Sequence, residues 1–292
     1  MKRRIVVDSG CDLTILEKGQ TEEKNNKILI NEDEISFARV PIRISLGDRE
    51  YEDSIDLDVK GFVKDMEAYK GISTSSCPGP QDWLHAFSGA DEIFVITITG
   101  ELSGSYNSAA LSKNIYLERH SEKKIKIWDS QSTGPQISLM VYYLKELLEQ
   151  GLDFITVCER ADQYLARTRL SFFLFSIDNF VKNGRISKIA GLATGLLDLH
   201  ILGRAQEGRL HPVRKCRGGA CLAKRLYEEM KEQGYQGGKV ILTHCFNERQ
   251  ALEVEQCILA EFPNAIIERM GMSGLCSYYS EKGGVLAGYE IG

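Results

Sequence analysis

With 292 residues, 43% hydrophobic and 26% charged, the chain can bury a substantial core without disulfides or lipid, and its length favours two domains over one. The net charge of -5 comes from interspersed signs, with no basic arm or stripe of the kind that neutralises phosphates, so nucleic-acid binding is not expected. The opening Met1-Lys2-Arg3-Arg4 leads into an apolar run, Ile5 to Val7, too short for a signal-peptide core or a membrane span. A cytoplasmic protein without stable membrane insertion is therefore expected.

The first half repeats one pattern: a short β-branched run, small polar residues, then a helix-length segment. Arg4 to Val7 leads into Asp8-Ser9-Gly10-Cys11-Asp12, Ile93 to Thr97 into Gly100 to Ser105, and Ile125 to Trp128 into Asp129 to Gly134. Short apolar strands alternating with helices such as Tyr106 to Leu117 and Ile137 to Glu149 are what a parallel sheet covered on both faces requires. Between the first two units, Val40 to Ile44 and Glu50 to Tyr51 read as a hairpin or an edge insertion, and Asp58 to Tyr69 as a helix that stops at Gly71. The polar run Glu17 to Asn26 is the one stretch with a disordered composition.

Beyond Gly151 the pattern changes. A helix from Asp153 to about Ala166 precedes Leu170 to Ile177, too continuously apolar for an exposed edge strand. Ile186 to Leu202 reads either as a buried helix and strand or as the wall of an apolar chamber. Glu207-Gly208 marks a turn, Ala220 to Lys231 and Glu248 to Phe262 are amphipathic helices, and strands are expected at Lys239 to Thr243, Ala265 to Glu268 and Val285 to Glu290. The predicted fold is α/β: a parallel Rossmann-like sheet domain over residues 1–155, and over 156–292 a second α/β domain with a mixed or antiparallel sheet, with ligand between them.

Eight cysteines are scattered without a CxxC pair, and five histidines include no HExxH, so reduced buried thiols are expected and no metal site. What does collect is hydroxyls, in the turns at strand ends where open α/β sheets bind ligands. Ser73-Thr74-Ser75-Ser76 precedes a helix; one hydroxyl suffices as its cap, leaving Thr74 or Ser75 for a ligand. At Gly100 to Ser105, Ser103 or Ser105 stands beside free helix N–H groups, where an anionic oxygen gains from hydroxyl, amide and dipole together, though an N-cap role reads equally well. Asp8-Ser9 and Asp129-Ser130 repeat one motif, and Asp8, Ser9 and Asp129 are expected to brace loops, since a carboxylate beside a bound anion repels it. Serine hydrolysis finds little support: there is no G-x-S-x-G elbow, and the S-x-x-K spacing at Ser121 to Lys124 falls in a charged run. Neither a P-loop nor a dinucleotide loop is present, so no nucleotide cofactor is expected.

Six separated blocks carry a resemblance: Asp8-Ser9-x-x-Asp12-Leu13, Val40-Pro41-Ile42, Thr74-Ser75-Ser76-x-Pro78, Leu102 to Ala109, Asp129-Ser130, and Asp178-Asn179-Phe180-x-x-x-Gly184 to Lys188. In this order, from Ile5 almost to the C-terminus, they resemble the bacterial DegV family of fatty-acid-binding proteins, which includes the carrier subunit of a two-component fatty acid kinase. The resemblance implies a non-catalytic protein without cofactor that holds a long-chain fatty acid and presents it to a separate ATP-binding kinase subunit. It implies Ser103 and Thr74 or Ser75 on the carboxylate, Arg217 as the basic residue near the head group, and Arg185 as a candidate for partner docking. The chain departs from the family at two places: Cys276-Ser277-Tyr278-Tyr279-Ser280-Glu281 stands where a histidine is usual, with the Tyr278 hydroxyl as its expected substitute, and Leu199-His200-Ile201-Leu202 where a lysine-proline pair is usual. A lipid-sensing regulatory protein is the alternative, and a serine hydrolase a more distant one.

Overall fold

The computed structural model describes residues 1–16, 27–29, 35–186, 199–217 and 221–292. The Glu17 to Asn26 run and most of Ile186 to Leu202 lie outside the described residues. The first sheet is wholly parallel, in the order β4-β1-β8-β9: β1 is Arg3–Asp8, β4 Ile35–Val40, β8 Glu92–Thr97 and β9 Lys124–Asp129. A small antiparallel sheet, β6-β5-β7, is made of β5 (Arg43–Leu46), β6 (Arg49–Glu52) and β7 (Ser73–Ser76), and a short parallel pair joins β2 (Thr14–Leu16) to β3 (Lys27–Leu29). The expected hairpin at Val40 to Ile44 is thus divided: Val40 closes a strand of the parallel sheet, Pro41 cannot donate to a ladder, and the hairpin starts at Arg43.

The second sheet is mixed, β12-β11-β10-β15-β13-β14, with all pairs antiparallel except β13 with β14. Its strands are β10 (Thr168–Leu174), β11 (Leu199–Gln206), β12 (Arg209–Arg217), β13 (Val240–His244), β14 (Ile267–Gly271) and β15 (Val285–Glu290). Glu207 and Gly208 form the β11–β12 turn with φ of 51° and 75°, the left-handed pair that a two-residue hairpin demands.

Two faces buried on every central strand explain the continuous apolar runs. Along β8, Phe94 and Ile96 join the core between the sheets while Ile93 and Val95 face the outer helices α2 (Pro80–Phe87) and α3 (Ser105–Arg119). Along β10, Leu170, Phe172 and Leu174 face inward, and Phe173 packs outward with α7 (Leu222–Glu232) and α8 (Glu248–Glu261). Helix α4 (Pro135–Glu149) lies between the sheets and contacts strands of both, so the order of layers is helix, sheet, helix, sheet, helix. It rides so close on β15 that a Cβ on Gly288 would meet the Pro135 carbonyl carbon at 2.5 Å. Helix α5 (Phe154–Ala166) touches both halves: Phe154 packs on Phe94 at 5.1 Å, Asp162 accepts from Trp128 Nε1 at 2.6 Å, and Tyr164 donates to Glu290 at 2.7 Å.

Among the described residues no helix is long and apolar enough to cross a membrane. Likewise, no group of three metal-ligating side chains converges among them.

Candidate functional site

A cavity of about 300 Å³ opens between the carboxyl ends of the first sheet and the inner face of the second. That is the lower end of the range for small-molecule sites. One wall is polar, built from Ser75 and Ser76 at the end of β7 and from Thr99, Ser103, Ser132 and Thr133 in the turns after β8 and β9. The other is apolar, with Leu170, Phe172 and Leu174 from β10, Phe180 from α6 (Asp178–Lys182), and Leu210 and Leu286 from the second sheet. The β10 residues enter because alternate side chains of a strand share a face. The hairpin tip seals one side: Thr99 donates to the Gly208 carbonyl at 2.7 Å, and Arg209 pairs with Glu101.

Helix α9 (Gly274–Ser280) contributes Leu275, Cys276, Tyr279 and Ser280 to the lining. The Tyr279 hydroxyl lies 2.7 Å from Ser75 Oγ and its ring packs on Phe180 at 4.6 Å. Burial pushes its hydroxyl pKa up, while the Ser75 hydrogen bond and the charge of Arg185 pull it back, so the phenol is a proton donor at neutral pH. Tyr278 turns the other way: it is fully buried, donates to Ser73 Oγ at 2.7 Å and accepts from Asn183 Nδ2 at 2.8 Å. Adjacent tyrosines thus meet alternate serines of one strand, and only the second pair faces the cavity.

The predicted site residues divide accordingly. Ser75 and Ser103 line the cavity, as does Arg185; Thr74, exposed on the opposite face of β7, does not. Ser103 Oγ also accepts from Ser105 N at 3.2 Å, a local turn contact just ahead of the N-cap Gly104 that coexists with its place on the cavity. Ser105 is fully buried and donates to Asp8 Oδ2, away from the lining, because its position at the start of α3 turns it under the sheet. Asp8 accepts from Gly10 N at 3.0 Å and Ile98 N at 2.9 Å; Ser9 Oγ accepts from Ile42 N at 3.0 Å; Asp129 accepts from Gly100 N and Gln131 N. Tyr278 is outside the lining for the reason just given, and Arg217 is exposed at the end of the edge strand β12, also outside it. Tyr279, Cys276 and Arg209 were not singled out by sequence; the Tyr278-Tyr279 pair held the signal, but only the orientation of α9 decides between its members.

Arg185 joins the halves of the site. Its Nε donates to the Leu102 carbonyl at 3.2 Å, immediately before Ser103, and its Nη1 to the Asn183 carbonyl at 2.6 Å. Among the described residues no histidine or carboxylate lines the cavity, and the partners of Ser75 and Ser103 are a phenol and an amide N–H. Among the described residues neither serine is hydrogen-bonded to a base.

A family model described as the uncharacterised DegV family matches residues 2–289. A DegV domain-containing protein of Streptococcus pneumoniae is 41% identical over 292 residues, covering 100% of both chains. Among solved structures, the Streptococcus pneumoniae fatty acid kinase B3 protein loaded with linoleic acid superposes with a TM-score of 0.91 at 41% identity, covering 100% of each chain. A DegV family protein from Eubacterium eligens loaded with heptadecanoic acid gives 0.89 at 35% identity, covering 99% of this chain and 100% of that one. The chain belongs to the DegV family.

Proposed function

We propose that the protein is a non-catalytic carrier that binds one long-chain fatty acid in the inter-sheet cavity and presents its carboxyl group to a separate ATP-binding kinase subunit in the cytoplasm. The observation that carries this reading is the polarity of the cavity: hydroxyls and Arg185 at one wall, β10 leucines and phenylalanine at the other. Support comes from the two relatives with resembling chains, whose structures hold linoleic and heptadecanoic acid. In this reading residues 1–155 supply Ser75 and Ser103, and residues 156–292 supply Tyr279, Arg185 and most of the apolar wall. The carboxylate accepts from these hydroxyls and from the guanidinium, and each buried methylene contributes about 0.8 kcal/mol before ordering costs. The kinase partner would supply nucleotide, metal and phosphoryl-transfer groups; the carrier supplies position and exclusion of water.

Native mass spectrometry of the purified protein, followed by solvent extraction, is expected to release one fatty acid per chain. An empty protein that also fails to take up fatty acids in solution would overturn the reading. Ser103→Ala, which removes one hydrogen bond to the charged carboxylate, at the lower end of about 1.5–3 kcal/mol, is expected to weaken fatty-acid affinity roughly tenfold while leaving the melting temperature within a few degrees of the parent.

A further inference from the structure

The polar end of the cavity depends on a helix that cannot fix its own position. Helix α9 has seven residues, starts with a glycine and carries Tyr279 near its far end. Binding constellations have to be held within about 0.5 Å and 10–20° of their productive geometry, so something else must set where this helix begins. Two buried carboxylates from the first half of the chain do so. Asp53, after β6, is 1% exposed and accepts from Gly274 N at 2.9 Å and Leu275 N at 2.8 Å. Arg39, itself nearly buried, holds Asp53 at 3.2 Å. Asp12, after β1 and also 1% exposed, accepts from Ser273 N at 2.9 Å and Ser273 Oγ at 3.0 Å. Three consecutive backbone N–H groups, 273 to 275, thus end on carboxylates that belong to the opposite half of the protein. The first turn of a short helix presents its free donors and positive dipole end there, which makes anionic acceptors the strongest available partners.

The fit at Asp53 is close enough to dictate sequence. A Cβ on Gly274 would meet Asp53 Oδ1 at 2.8 Å and Leu57 Cδ2 at 2.5 Å, so a residue larger than glycine would drive the carboxylate off the helix. Five residues later on the same short helix, Tyr279 reaches Ser75, and one turn before it Cys276 joins the lining.

We propose that Asp53, assisted by Asp12, is a positioning residue for head-group recognition: it registers α9 across the domain interface so that the Tyr279 hydroxyl meets Ser75 at the polar end of the cavity. The inference rests on the fatty-acid reading of that cavity. It assigns to these carboxylates a role in discriminating the acid group, as opposed to holding the acyl chain.

The test measures affinities for oleic acid and for methyl oleate, which share a chain and differ at the head group. The parent protein should prefer the acid. Asp53→Asn, which keeps shape but loses the charge and one acceptor, should lower acid affinity about tenfold and methyl oleate affinity less than twofold. Gly274→Ala should do the same from the other side of the contact, and serves if Asp53→Asn proves too unstable to purify. In a Tyr279→Phe background, adding Gly274→Ala or Asp53→Asn should cause little further loss of acid affinity, because the group being positioned is already gone. Equal losses for acid and ester, or full additivity with Tyr279→Phe, would overturn the positioning role and leave Asp53 as a support for the fold. A parent that binds neither ligand would instead overturn the fatty-acid reading itself.

Discussion

Asp8→Ala should lower the unfolding free energy by about 3–5 kcal/mol, because it strands three buried donors that normally cost 1–3 kcal/mol each when left unpaired. The Asp8 carboxylate is fully buried and receives Gly10 N–H and Ile98 N–H from the turns after β1 and β8 together with the Ser105 hydroxyl from α3. Burial outweighs these hydrogen bonds and raises its pKa to about 6. The folded protein therefore keeps the Asp8 proton to a higher pH than the unfolded chain. Its contribution to stability is complete below the unfolded carboxylate pKa and declines as pH rises through about 6, by about 3 kcal/mol in all. Asparagine mimics the neutral acid only in part, since its amide hydrogens oppose a backbone N–H. Denaturant unfolding should show Asp8→Asn less stable than the parent at pH 4.5, with the gap narrowing by pH 7.5. A gap that is constant or widens over that range would show that Asp8 is charged in the folded state throughout.

The strands that carry the fold were legible because the central strands of both sheets are covered on two faces: β1, β8, β10, β13 and β15 are short and mainly apolar. Helix α1 (Val59–Ala68) falls within the expected Asp58 to Tyr69 segment, with Asp58 as its cap accepting from Gly61 N and Tyr69 already outside it. Boundaries failed where one run served two sheets. Val40 and Arg43 are near neighbours in sequence yet belong to different sheets, and Ser73 to Ser76, read as a turn with a cap, forms β7 in register with β5. The same strand geometry sorted the serine run, placing Ser75 toward the cavity and Thr74 toward solvent. Asp8 and Asp129 could be read as bracing residues because each stands in a small polar turn at the end of a strand and accepts from its own turn, Gly10 N and Gln131 N, before it reaches a neighbouring one. Asp53 could not, because its partners Gly274 and Leu275 lie more than two hundred residues away. The choice among the arginines was not legible for a related reason: charge and local sequence do not reveal that Arg217 ends an edge strand while Arg185 folds back against the Leu102 carbonyl.

That choice carries the largest expected effect on binding. Among the described residues Arg185 and Arg209 are the two charged members of the cavity lining; Arg209 is neutralised by Glu101, whereas Arg185 pairs with no described carboxylate. A desolvated acid head group would meet Arg185 as its counter-charge, and a hydrogen bond to a charged partner is worth about 1.5–3 kcal/mol. Arg185→Ala is accordingly expected to weaken oleic acid affinity on the order of 30-fold, by isothermal titration or displacement of a fluorescent fatty acid, and to leave methyl oleate affinity nearly unchanged. Arg185→Lys should recover only part of the loss, because a lysine cannot hold the Leu102 carbonyl and a carboxylate through one planar group. Arg217→Ala should change neither affinity by more than about twofold, since an exposed side chain outside the lining faces screening by water and salt. If Arg185→Ala binds oleic acid as tightly as the parent but abolishes acyl phosphate formation with the kinase subunit, Arg185 belongs to the docking surface and the carboxylate is held by Ser75, Ser103 and Tyr279 alone. If both binding and phosphorylation fall in proportion, head-group capture accounts for the whole effect.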